Sequence, residues 1–189
     1  MERALLVTNA ADVVTLTDGD QALAKAWPTR LDIDVPTAPG FDDALEATSR
    51  YAARDAHPFP KCFVCGTERA VGDGMRLFAG PLEGRDVVAT PWVPDRSLAP
   101  NHVIPNEFVW AALDCPAFFG SCIHTTPIPS VLGEMSARLD GHVHVGERCI
   151  AIGWQLGKEG RKEFVASAIY GEDGNLVGVS QATWINVSV

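Results

Sequence analysis

The stretch Asn106-Glu107-Phe108-Val109-Trp110-Ala111-Ala112-Leu113-Asp114-Cys115-Pro116-Ala117-Phe118-Phe119-Gly120 decides how this chain of 189 residues folds. Phe108, Ala112, Cys115 and Phe119 recur every three or four residues, so they share one helix face suited to burial against a sheet. Asn106 suits the N-cap, because its side-chain oxygen can take up a free backbone N–H. Glu107 falls in the first turn, where the helix dipole favours acids. Pro116 removes one donor and crowds the carbonyl of Ala112, so the helix is expected to kink or split there.

Strand patterns surround this helix. Upstream, Met75 to Ala79 and Asp86 to Val93 read as a hairpin turning at Pro81 to Gly84, followed by a loop from Pro94 to Pro105. Downstream come four strands: Val131 to Leu139, Arg148 to Leu156, Phe164 to Tyr170 and Leu176 to Val187. The last two are joined by the turn signal Glu172-Asp173-Gly174-Asn175. In the second of the four, Ile150, Ile152, Trp154 and Leu156 share one face, and the small residues Cys149, Ala151 and Gly153 share the other with Gln155. A strand face of small residues is what a closely packed helix requires. The short links make the sheet antiparallel. A sheet with one long helix and one core implies an α+β domain in which the sheet wraps the helix.

The first 60 residues read as an N-terminal extension to a domain spanning 61–189. The extension holds short strands at Ala4 to Leu6 and Val13 to Leu16, an alternating strand at Leu31 to Val35, and a helix near 41–53. A formal net charge of −9 with scattered Lys and Arg excludes a nucleic-acid partner. No apolar run reaches the length of a membrane helix, and Met1 to Ala10 shows no secretory pattern, so the cytoplasm is the expected location.

The order of elements, together with local motifs, resembles the hotdog fold of the PaaI-like acyl-CoA thioesterases. That family shows a His-Gly-Gly turn and then a helix bearing an Asp nine residues after the His. Here Asp114 stands nine residues after Pro105. Val145-Gly146-Glu147, Gly160-Arg161-Lys162, Asp173-Gly174 and Ala182-Thr183-Trp184 follow the same superfamily's rhythm over residues 70–189. Pro105-Asn106-Glu107 replaces the His-Gly-Gly, so the two glycines that admit a thioester are missing. The resemblance implies an acyl-thioester ligand, hydrolysis of that thioester, and a site formed between two subunits of a homodimer or a dimer of dimers.

On this basis Asp114 and Glu107 are the candidate catalytic carboxylates, able to activate water or to attack directly. Seven residues apart, they lie on one helix face about 10 Å apart along the axis. The free N–H groups of Asn106, Phe108 and Val109 would polarise the thioester carbonyl, with His102 just before the helix as a further substrate contact. The competing reading of Asp114 is a helix-surface or capping carboxylate. At the level of function the alternatives are a non-catalytic acyl- or CoA-binding protein of this fold and, behind it, a hydratase or dehydratase.

No metal is expected at the catalytic site, and no cofactor. The motif Cys62-Phe63-Val64-Cys65-Gly66, preceded by His57, is read first as a metal-free packed turn. Structural zinc held by His57, Cys62 and Cys65 comes second, because a structural zinc wants four ligands; thiol chemistry comes third. Cys115, Cys122 and Cys149 read as small buried hydrophobes.

Overall fold

The structure, a computed structural model, describes residues 4–187, and the chain divides between Asp32 and Ile33 into two compact units. The first unit is an antiparallel meander of β1 (Leu6–Ala10), β2 (Val13–Asp18) and β3 (Gln21–Ala26). Ala11 and Asp12 both have positive φ, the two-residue turn whose twist suits a hairpin, and Gly19 makes the second turn with φ of +58°. β3 forms although Gln21-Ala22-Leu23-Ala24-Lys25-Ala26 is rich in helix formers; its ladder with β2 overrides that propensity.

The second unit contains α1 (Phe41–Ala47), β4 (Gly80–Pro81), β5 (Val88–Trp92), α2 (Asn106–Gly120), β6 (Ser130–Leu139), β7 (Cys149–Glu159), β8 (Lys162–Tyr170) and β9 (Leu176–Asn186). The six strands form one antiparallel sheet in the order β4-β5-β7-β8-β9-β6. α2 packs across β5, β7, β8 and β9, while α1 packs on β5 and β7. The core between α2 and the sheet includes Trp92, Val109, Leu113, Phe119, Val165 and Ile169. Each such side chain contributes about 1.5–3 kcal/mol by leaving water.

The α+β architecture expected of the sequence is therefore present, and so are its long helix and the four strands after it. Several local expectations are corrected. α2 is one continuous helix through Pro116 and is not split there. Pro105, in extended conformation, occupies the N-cap, and Asn106 is the first helical residue; no side chain caps this end. The first helix stops at Ala47 and tightens into a 3-10 turn over Thr48–Arg50. Leu31 to Val35 forms no strand. The hairpin upstream of α2 pairs only Gly80 and Pro81 with Ala89 and Val88. Its expected first arm, Met75 to Ala79, turns elsewhere: the Met75 and Leu77 N–H groups donate to the carbonyls of Phe63 and Val64 at 2.8 Å each.

The small-residue face of β7 meets α2 as the alternation required. A Cβ added to Gly153 would lie 1.8 Å from the Pro116 carbonyl oxygen, and one on Gly120 would lie 2.5 Å from the Trp154 nitrogen. Gly153→Ala is therefore expected to cost about 1–3 kcal/mol through overpacking. Gly157→Ala, four residues along the same strand, meets nothing closer than 3.9 Å and should stay well below that cost. Urea midpoints of the two variants measured side by side check this; equal midpoints would contradict the close contact.

Candidate functional site

α2 is placed by its start as much as by its packing. Ile104 N–H donates to the Val143 carbonyl at 2.8 Å, and Val145 N–H donates to the His102 carbonyl at 2.9 Å. These bonds tie the segment before the helix to the one before β7. His102 adopts a positive φ of 64° to make the turn and leaves its side chain exposed. Asn106 and Glu107 are exposed, Phe108 is half-buried beside Phe63, and Val109 is buried in the core. The Phe108 N–H already donates to the Pro105 carbonyl at 3.0 Å. The side chain of Val109 faces the core and not a ligand, so a role for it can run only through its backbone.

Asp114 lies two turns further on. Its carboxyl is half-buried, and Oδ1 is fully enclosed without a hydrogen-bond partner. Burial, and after it the negative charge of Cys62, pushes the carboxyl up to about 7. The backbone beside it is fixed: the Leu113 carbonyl accepts hydrogen bonds from the Ser167 and Ser180 hydroxyls, which also contact each other at 2.7 Å. These bonds bring two strands onto the helix one residue before Asp114. A surface or capping carboxylate does not fit this burial. Glu107, by contrast, is a solvated first-turn acid.

Cys62 and Cys65 stand on a tight turn in which Gly66 N–H donates to the Cys62 carbonyl at 2.9 Å. Gly66 is required there, because a Cβ would come within 2.5 Å of the carbonyl oxygens of both Cys62 and Pro60. The Tyr51 hydroxyl donates to the Cys65 carbonyl at 3.1 Å, closing the turn against the core. The turn brings both thiols to Cys115, which is the residue the sequence reading missed. The three sulfurs lie within 4.8 Å of one another, with Cys62 and Cys115 at 3.7 Å. His57 Nε2 is 3.3 Å from the Cys65 sulfur, and its Nδ1 accepts the Phe59 N–H at 2.9 Å.

Hydrogen bonds from the Cys115 and Cys65 thiols pull Cys62 down to about 2, aided by backbone N–H groups and opposed by burial. The interaction with Cys62 raises Cys115. Within the trio the thiolate form is thus most favoured at Cys62. Cys122 and Cys149 remain small buried residues apart from this trio, as the sequence suggested. The only signal that could have linked Cys115 to the pair was its place on the buried helix face; at 53 positions from Cys62, spacing alone did not reveal it.

No protein-family model and no curated protein matches the sequence. Solved structures do match the fold. A thioesterase from Haemophilus influenzae is 15% identical with a TM-score of 0.53, over 64% of this chain and 83% of that one. A thioesterase superfamily protein is 14% identical with a TM-score of 0.51, over 58% of this chain and 53% of that one. The second unit is a hotdog fold. The Escherichia coli PaaI protein also matches, at 8% identity and a TM-score of 0.48, over 55% of this chain and 75% of that one. At these identities the likeness concerns the hotdog fold alone. Among the described residues, no helix is long and apolar enough to cross a membrane.

The tight turn generates its own test. Gly66→Ala should open it and expose thiols that are now enclosed. The rate of labelling by an aromatic disulfide reagent is expected to rise at Cys65 and Cys115, with a loss of about 1–3 kcal/mol in stability. Unchanged labelling would show that the turn tolerates a side chain.

Proposed function

We propose that this hotdog protein hydrolyses an acyl-CoA or similar acyl thioester, with Asp114 as the general base. The observation that carries the reading is the enclosed, unpartnered Oδ1 of Asp114 on the central helix. Burying a carboxylate oxygen without a hydrogen bond is costly, and a group kept that way is a candidate for chemistry. In the proposed step a water oxygen attacks the thioester carbonyl carbon while Asp114 takes the water's proton. The C–S bond then breaks, and the leaving thiolate receives that proton, giving a carboxylic acid and a thiol. Within one chain the start of α2 lies about 12 Å along the axis from Asp114, so in a dimer the start of the second subunit's α2 would support the developing oxyanion with its dipole and its first free N–H groups. The exposed Glu107 carboxylate stands apart from this step, and the exposed His102 is a proposed substrate contact.

Free-thiol release from a panel of acyl-CoA esters tests the proposal. Asp114→Asn is expected to lower the rate by about 100-fold or more, the range for loss of a general base. Release that is unchanged in Asp114→Asn would remove Asp114 from the mechanism. Binding without release in the parent chain would favour the non-catalytic acyl-binding reading, which the absence of turn glycines at Pro105-Asn106-Glu107 supports.

We further propose that the protein works as a homodimer. β6 is an edge strand, and its outward backbone groups are a template for pairing. Val131 and Leu132 on it are 45% and 41% exposed, more than apolar residues at a lone edge would favour. None of the chain's five cysteines is paired in a disulfide, the state the cytoplasm maintains, and we place the protein there. Light scattering should give twice the chain mass, and Leu132→Glu should shift the population toward monomer. A monomeric parent chain would refute the pairing.

A further inference from the structure

We propose that Cys62, Cys65 and Cys115 form a binding site for a single zinc ion, which fastens the turn at 62–65 to the central helix. Four observations support it without reference to the hydrolytic reading. The first is distance: in a tetrahedral site with Zn–S bonds of about 2.3 Å, sulfurs stand about 3.8 Å apart. The Cys62 and Cys115 sulfurs are 3.7 Å apart, and all three fall within 4.8 Å of one another. The second is the turn. Cys62-Phe63-Val64-Cys65-Gly66 presents two thiols to one point, and its geometry excludes any side chain at Gly66. The third is space. A cavity of about 50 Å³ is lined by His57 and all three cysteines, with Phe118, Phe119 and Trp184 among its apolar walls. A water-sized occupant needs about 10–15 Å³, so the cavity has room for an ion and a fourth ligand.

The fourth observation concerns His57. Its Nδ1 accepts the Phe59 N–H, so the proton of the neutral ring sits on Nε2, directed at the Cys65 sulfur 3.3 Å away. A ring N–H donated to a metal-bound thiolate is an outer-shell contact that orients the ligand. His57 is thus a positioning residue in this site, and three sulfurs are its ligands. Soft, sulfur-rich ligation selects zinc over magnesium or calcium. Binding displaces whatever thiol protons the three cysteines carry: each remaining S–H bond breaks as its sulfur forms a Zn–S bond, and the protons pass to solvent. No electron transfer is involved.

The site differs from the expected trio of His57, Cys62 and Cys65 in one ligand, and that ligand changes what the ion does. A metal held within residues 57–65 would stiffen one loop. A metal that includes Cys115 joins two segments 53 positions apart, one of them the helix that carries Asp114.

The test is metal analysis of the full-length protein produced with zinc and desalted. The expected content is about one zinc per chain, falling to near zero in Cys62→Ser and in Cys115→Ser and holding in Cys122→Ser. Competition with a chromophoric chelator should show His57→Ala weakening the affinity by about 10–100-fold, the effect of an outer-shell partner, without abolishing it. Because a cysteine variant can fail to fold, the parent chain is also stripped of metal and titrated with cobalt(II). A thiolate-to-cobalt charge-transfer band in the near ultraviolet, reaching its limit at one equivalent and bleached by zinc, supports the site. The proposal is overturned if the parent chain retains no zinc and gives no such band. It is also overturned if mass spectrometry of the isolated protein finds a Cys62–Cys115 disulfide, or if Cys115→Ser keeps a full complement of zinc with unchanged affinity.

Discussion

The close approach of α2 to β7 governs the rest of the second unit. Gly153 admits the Pro116 carbonyl where any side chain would collide, and Gly120 admits the Trp154 backbone. The Ser167 and Ser180 hydroxyls reach the Leu113 carbonyl from the neighbouring strands. Pro116, which should weaken a free helix, sits where the sheet holds the helix from outside. The lost N–H matters less in a segment whose position is set by tertiary packing than in an isolated helix.

Packing on one side of α2 leaves the other positions of the helix to chemistry. Consecutive residues on a helix point about 100° apart, so Asp114 and Cys115 face different neighbours although they are adjacent in sequence. Cys115 turns to the 62–65 turn, and Asp114 holds an oxygen in an enclosed place without a partner. The cavity on the sulfur side has Phe118, Phe119 and Trp184 among its apolar walls. Burial lowers the local dielectric and strengthens charge interactions, among them that between Cys62 and Asp114.

How much of this was legible in the sequence follows from the range of each interaction. α2 was readable from Asn106 to Gly120, because a 3.6-residue period is a local property. The small face of β7 announced the helix that would cover it, and Asp173-Gly174 announced the β8–β9 turn. Where the reading failed, a partner distant in sequence had decided the outcome. Met75 and Leu77 alternate like a strand, but Arg76 between them has a φ of +56° and their N–H groups donate to Phe63 and Val64 instead of to the expected hairpin. Leu31 to Val35 alternates equally well and has no ladder to join. Pro105 took the cap from Asn106 because the preceding segment is held extended by Val143.

The candidate site divides along the same line. Asp114 was singled out by the resemblance of its place, nine residues after Pro105, to the acid of the PaaI-like thioesterases, and its apolar neighbours Leu113, Cys115 and Phe118 spoke against a solvated face. Cys115 could not be singled out, because nothing within one helix turn distinguishes a thiol that packs from a thiol that meets two others. A single buried cysteine is most economically explained as a small hydrophobe. Cys122 and Cys149 remain explained that way, since each lies apart from the sulfur trio. What sets Cys115 apart is that the Gly66 turn and the Tyr51 hydroxyl bring Cys62 and Cys65 onto the helix at that residue. The segment before β4 therefore closes one side of the same helix whose other side the sheet positions, and α2 is held from both.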